Sequence, residues 1–213
     1  CDSISFYSKE DRIESTGNPK VQDLDYSLNS DTLIYFTEAD SGVALGRVEL
    51  FQNNQKIRAN RIEYKKQPGS RVVSYTAIGD VIIEDSVRIA TCGMATYNHT
   101  DEKTILDIKP KIIDEARTLF GKKIIMTYKE KKLKKIFIPN NAQASTVSEG
   151  YQESKNDTSN SRQKLRFNDD MTSTSLEGYF DDGKLDSLRL RGMASTLYHI
   201  FEDSLYKGKN ETS

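Results

Sequence analysis

The chain has 213 residues, of which 36% are hydrophobic and 30% charged, with no Trp and a formal net charge of −1. So even a balance excludes a nucleic-acid partner held by phosphate neutralisation, and no apolar run reaches the roughly 20 residues of a membrane-crossing helix. The lean apolar content suits thin sheets with solvated outer faces, and the length fits one elongated domain.

Taken in chain order, short strands that end in an aromatic recur at Phe6, Tyr35, Tyr64, Tyr97, Tyr128 and Phe180, at intervals of 29, 29, 33, 31 and 52 residues. Breaker-rich turns follow, such as Ser8-Lys9-Glu10-Asp11, Gln67-Pro68-Gly69-Ser70 and Asp181-Asp182-Gly183-Lys184. Each aromatic is followed, 11 to 15 residues on, by a slot at position 17, 46, 79, 108, 140 or 192, four of them Gly. Around the slots the same-face residues at period two are Ile13, Ser15, Gly17, Pro19 and Val21, then Ala44, Gly46, Val48 and Leu50, then Tyr75, Ala77, Gly79, Val81 and Ile83. Two degenerate copies follow, Leu106, Ile108, Pro110, Ile112 and Ile136, Ile138, Asn140, Ala142, before a last one at Leu190, Gly192 and Ala194.

Period-two alternation marks half-buried strands. No window carries a sustained helical stripe, and the best helical candidate, Asp114 to Phe120, spans one or two turns. Between Val147 and Asp170 the chain is polar and nearly free of aliphatics, which predicts a disordered insertion loop over 147–170 and accounts for the long interval. The predicted fold is all-β: a single repeat-built domain over 1–213, with about thirty residues per repeat, whose two-strand units bury their apolar faces only by stacking. Cys1 to Phe6 aligns with Cys92 to Tyr97, so the chain opens in mid-pattern and is expected to be a fragment of a longer array. Cys1 is read either as such a boundary or as the lipidated N-terminus of a bacterial lipoprotein.

Stacked slots would make an apolar trough with a thin floor. Its expected lining is Ala44, Gly46, Val48, Leu50, Ala77, Gly79, Val81, Ile83, Ile108, Ile112, Ile136, Ile138, Leu188 and Leu190. Acyl chains would fill such a trough at roughly 0.8 kcal/mol per buried methylene; alternatively the sheets close and the small residues serve close packing. Lys131, Lys132, Lys134 and Lys135 are candidate phosphate contacts at the rim, or a solvated turn. Catalysis finds little support. His99 and His199 lack companions at metal-ligand spacing, the acidic pairs sit in turns, and nothing selects two carboxyls for glycoside chemistry. No catalytic residue, metal or cofactor is expected.

The succession of Ala-x-Gly-x-Val strands and aromatic-ended strands, closing with Phe180-Asp181-Asp182-Gly183-Lys184-Leu185 and Leu190-Arg191-Gly192-Met193-Ala194, resembles the OstA-like (LptA-like) proteins of lipopolysaccharide transport. The likeness extends over all but 147–170. It implies an elongated, open β-jellyroll folded like a V and a non-enzymatic periplasmic carrier that shields lipopolysaccharide, or a similar amphipathic glycolipid, in its groove on the way to the outer membrane. It also implies head-to-tail association with itself and with sister components through edge strands. The departures are Ile108-Lys109-Pro110 and Asn140-Asn141-Ala142 in place of Gly slots. A structural or carbohydrate-binding β-solenoid at the cell surface is the alternative; the charged outer faces, with Arg47, Glu49, Asp80, Lys111, Arg189 and Arg191, favour the carrier.

Overall fold

The computed structural model describes residues 1–66, 73–114, 117–156 and 159–213, and the predicted turn Gln67 to Ser70 falls outside them. The described residues form twenty strands: β1 (Ser3–Tyr7), β2 (Arg12–Thr16), β3 (Lys20–Gln22), β4 (Tyr26–Asn29), β5 (Thr32–Phe36), β6 (Ser41–Gln52), β7 (Gln55–Lys66), β8 (Val73–Glu84), β9 (Arg88–Asn98) and β10 (Lys103–Asp107). They continue as β11 (Lys111–Asp114), β12 (Arg117–Phe120), β13 (Lys123–Lys129), β14 (Lys132–Ile138), β15 (Ala142–Asn156), β16 (Ser159–Ser173), β17 (Ser175–Asp181), β18 (Lys184–Arg191), β19 (Ser195–Glu202) and β20 (Leu205–Thr212). The described residues contain no helix. Of the helical candidate Asp114 to Phe120, residues 115–116 lie outside the described ones, Asp114 ends β11 and Arg117–Phe120 form β12, where Ile112 and Leu119 pair inward between the two strands.

Hydrogen-bond pairing sorts the strands into two walls. The first runs β1, β2, β5, β6, β7, β8, β9, β10, β13, β14, β17, β18. The second runs β3, β4, β6, β7, β8, β9, β11, β12, β15, β16, β19, β20. The long strands β6, β7, β8 and β9 contribute to both, so the walls share a covalent spine and face each other across a common interior.

The repeated slots are the corners of that spine. Gly46 and Arg47 have φ of 70° and 37°, Gly79 and Asp80 78° and 48°, and the ladder shifts register there. Two successive left-handed residues turn the chain from one wall into the other while keeping residues of the same parity inward; Gly is favoured at the first because it has no Cβ to clash. The degenerate copies keep the turn without the glycine: Ile108 and Lys109 have φ of 64° and 54°, and Asn141 has φ of 50°. At the fourth corner the glycine has moved to the neighbouring strand, where a Cβ on Gly93 would lie 2.7 Å from Ile108 Cγ2. The usual corner is the mirror of this, since a Cβ on Gly46 would lie 2.5 Å from the Asp31 carboxylate. One member of each such pair gives up its side chain to the other.

Within 147–170, where a disordered loop is predicted, the described residues are strand. Residues 147–156 and 159–170 belong to β15 and β16, paired in unbroken register from Ala142↔Ser173 to Asn156↔Ser159. β16 then pairs β19, β19 pairs β20, and β20 returns to β15 through a parallel bridge, Tyr151↔Leu205. Inside this ring of four strands Phe167 stacks on His199 at 4.1 Å, with Phe201 and Tyr206 beside them. His199 is tied into this cluster: its Nδ1 lies 2.8 Å from Asp169 Oδ1, its backbone N–H donates to the same oxygen, and Ser148 Oγ donates to the other.

Candidate functional site

Each wall carries one unbroken row of inward side chains, set by strand register. In the first wall the row runs Leu33, Ala44, Ile62, Ala77, Ala95, Leu106, Ile124. In the second it runs Leu28, Leu50, Ile57, Ile83, Ala90, Ile112, Leu119, Ala144, Met171. Small and large residues mix along both rows, which lets the walls approach and interlock.

Of the predicted lining, Ala44, Val48, Leu50, Ala77, Val81, Ile83, Ile112, Ile136 and Ile138 are all buried in this interior, and Leu188 and Leu190 pack half-buried against it. Gly46 and Gly79 form the spine instead of the lining. Ile108 is corrected outright: it is 61% exposed, because the left-handed turn at the corner points its side chain away from the interior. Ala194, taken as a small inward residue, is exposed beyond the corner of Gly192 and Met193. The interior is filled by its own side chains, so the trough is closed here.

Closure is completed opposite the spine, at a mouth where the strand ends of the two walls meet. Gln52 of the second wall donates from Nε2 to the Val73 carbonyl at 3.0 Å and accepts the Val73 N–H at 3.1 Å. Asn53 Nδ2 donates to the Tyr97 hydroxyl and Gln55 Nε2 to the Tyr128 hydroxyl, each at 3.3 Å. Lys66 pairs with Asp23 at 2.7 Å and Lys131 with Asp25 at 3.8 Å. Farther along, buried Arg88 of the second wall donates to the Gly183 carbonyl and lies over the Phe180 ring, both of the first wall. Thus three of the strand-end aromatics that define the repeat, Tyr97, Tyr128 and Phe180, are mouth residues that hold polar partners from the opposite wall. The partners, Gln52, Asn53, Gln55 and Arg88, escaped sequence reasoning, since polar residues in tight turns carry no mark of what they face.

Below the mouth sit two buried phenols, Tyr64 and Tyr75, whose hydroxyls have no hydrogen-bond partner among the described residues. Burial pushes both phenols above the usual tyrosine range. Burial likewise pushes the Cys92 thiol, on the inner face of β9, up to about 11, whereas Cys1 is exposed.

The four lysines are divided. Lys131 and Lys132 border a mouth cavity of about 560 Å³. Lys134 and Lys135 lie on β14, paired with Asp181 at 3.8 Å and Glu177 at 2.6 Å. The Lys135 ammonium is held above its usual range by the hydrogen bond to Glu177.

Residues 29–132 match the family model described as LptA/(LptD N-terminal domain) LPS transport protein. The matched region spans the second, third and fourth corners and the turn that carries Lys131, a narrower extent than the resemblance read from the repeats. Among solved structures, LptH, the LptA homologous periplasmic component of the conserved lipopolysaccharide transport device from Pseudomonas aeruginosa, is 19% identical, with 51% of this chain and 79% of that one covered at a TM-score of 0.46. No curated protein matches the chain.

Proposed function

We propose that the chain is a periplasmic module of lipopolysaccharide transport that carries acyl chains of the glycolipid between its two walls. The observation that carries this reading is the pair of continuous apolar rows, one per wall, running the length of the stack inside a family-matched fold. A repeat protein needs apolar faces to stack, but two facing rows of this length also make a sleeve for a long hydrocarbon.

Loading requires the mouth to part while the spine holds. The two sides differ in kind: the spine is covalent, whereas the mouth is held by side-chain hydrogen bonds, each contributing about 0.5–1.5 kcal/mol net, or about 1.5–3 kcal/mol for the charged Arg88, and by partly exposed ion pairs of smaller worth. As the walls part, acyl methylenes take the place of their mutual apolar packing, each contributing roughly 0.8 kcal/mol, and the hydroxyls of Tyr64 and Tyr75, without a partner among the described residues, would donate to acyl ester oxygens. Lipid thereby exchanges for the walls' own packing without exposing it to water.

End-to-end association completes the reading. β1 is an edge strand with both faces exposed, Ile4 being 66% and Phe6 63% accessible. Such an edge is a template for a strand of a second copy or of a sister component. At the other end the edge strand of the first wall among the described residues is β18, whereas β19 is already paired on both sides by β16 and β20.

Native mass spectrometry of protein purified from a lipopolysaccharide-producing cell tests the function. Co-purified glycolipid in stoichiometric adducts is expected; an adduct-free protein that also takes up no added lipopolysaccharide would overturn the reading.

A further inference from the structure

The mouth cavity bordered by Lys131 and Lys132 has an unbalanced lining. Five cationic side chains, Arg88, Arg117, Lys131, Lys132 and Lys184, face three carboxylates, Asp85, Asp114 and Asp182. The carboxylates are already committed. Arg88 takes Asp85 at 3.2 Å and Asp114 at 3.6 Å, and Lys132 takes Asp182 at 2.9 Å. Arg117 and Lys184 have no ion-pair partner among the described residues, and Lys131 has only Asp25, outside the cavity, at 3.8 Å. The three come from different places: Arg117 opens β12 in the second wall, Lys184 opens β18 in the first, and Lys131 lies in the turn between β13 and β14.

Among the described residues the cations gathered from both walls around this cavity outnumber its carboxylates, and that excess calls for an anion. Arg offers a planar fork that grips two oxygens of a phosphate, and the lysines add point charge. At about 560 Å³ the cavity is far larger than a lone phosphate needs, and its remaining lining includes Tyr128, Leu133 and Leu185, of which Leu133 is buried and Leu185 packs on the core. It therefore offers charge at the rim and an apolar path inward, the pattern of an amphiphile whose phosphate stays at the surface while its chains go down.

We propose that this cavity binds a phosphate carried on the head of an amphiphile, with Arg117, Lys131 and Lys184 as its contacts. This deepens the carrier reading and rests on it for the source of the phosphate, though the anion site has its own test. It also divides the lysines predicted from sequence: Lys131 is a ligand, Lys132 a neighbour held by Asp182, and Lys134 and Lys135 belong to the outer face of β14.

The test has two arms on the full chain. In the first, inorganic phosphate is titrated into ¹⁵N-labelled protein, and saturable shifts are expected at the amides of Arg117, Lys131 and Lys184, lost in Arg117→Gln/Lys184→Gln. In the second, a phosphorylated glycolipid and its dephosphorylated form are compared by calorimetry. The wild type should bind the phosphorylated form about tenfold tighter, and the double variant should bind both forms as the wild type binds the dephosphorylated one. Shifts in the first arm without lipid discrimination in the second would assign the site to free phosphate and overturn the headgroup source. Absence of both overturns the proposal, and if both lipids then bind equally well, the carrier reading stands without it. Failure of both lipids to bind, with phosphate shifts present, would retain an anion site and reject the carrier.

Discussion

Gln55 reaches from the second wall to donate a hydrogen bond at 3.3 Å to the hydroxyl of Tyr128 in the first, 73 residues further along the chain. Tyr128 is one of the strand-end aromatics whose recurrence sets the repeat. The same side chain thus fills the end of a stacked row with its ring and fastens the mouth with its oxygen, which makes the mouth separable from the core by substitution.

Removing that fastening should loosen the mouth at little cost to the fold. Tyr128→Phe keeps the ring and gives up the hydrogen bond from Gln55, a loss of about 0.5–1.5 kcal/mol, together with a weak one to Met126 Sδ. Cys92 reports the opening: its thiol is buried and its pKa raised to about 11 by that burial, so in a Cys1→Ser background it should react slowly with maleimide at neutral pH. Tyr128→Phe combined with Gln55→Ala should raise that rate several-fold while the melting temperature moves by a few degrees. An unchanged rate would mean that the mouth hydrogen bonds do not control access to the interior.

The exchange of glycine between neighbouring strands is testable as a double-mutant cycle. Gly93→Ala would place its Cβ 2.7 Å from Ile108 Cγ2, and overpacking of this kind costs about 1–3 kcal/mol. Ile108→Gly removes both the obstacle and a β-branched residue at φ 64°, a conformation that disfavours such side chains. The double variant should recover most of the loss in chemical denaturation. Additive effects would show that the two residues do not share one space.

The ring of β15, β16, β19 and β20 should weaken in acid through Asp169. Burial acts to raise this carboxyl, but the hydrogen bonds from Ser148 and from the ring and backbone of His199 outweigh it and hold the pKa below the usual value. A folded-state pKa below the unfolded one contributes stability that is complete above the unfolded value, about 3.9, and is lost as pH falls through the folded one. Asp169→Asn should therefore lower the melting temperature at pH 7, and its gap from the wild type should narrow toward pH 3. A gap independent of pH would assign the effect to shape alone.

Association should depend on β1. The Thr37 N–H donates to the Asp11 carbonyl, so Ile13 bonds β5 and its partner Phe6 turns its own N–H outward. Phe6→Pro therefore removes a donor from this exposed edge and should shift concentration-dependent oligomers toward monomer in light scattering. Oligomers that persist unchanged would move the contact elsewhere.

The repeat, the all-β class and the inward residues were legible because burial of one strand face writes period two into the sequence: Ala44, Val48 and Leu50, or Ala77, Val81 and Ile83, can be read directly. The role of the slots was not. Parity is the same for a straight strand and for a strand with a two-residue left-handed corner, so Gly46 and Gly79 read as small lining residues, and Ile108 read as inward when it points out. The hairpin at 142–173 was missed for a different reason. Its outer residues, among them Glu149, Lys164 and Arg166, are charged and pair with one another, so composition hid the alternation of Leu165, Phe167 and Asp169 beneath them. The mouth lay beyond reach altogether, since Gln55 and Tyr128 meet only after the walls have formed.

That acyl chains occupy the interior between the walls is tested most directly by site-specific photocross-linking. A photoreactive residue placed at Leu50, buried on the inner face of β6, is compared with one at its neighbour Glu49, which points outward to pair with Lys56 at 2.7 Å, in cells making lipopolysaccharide. Lipopolysaccharide adducts are expected at position 50 and few at position 49. Equal labelling at both positions, or labelling confined to position 49 in folded protein, would contradict an acyl-filled interior.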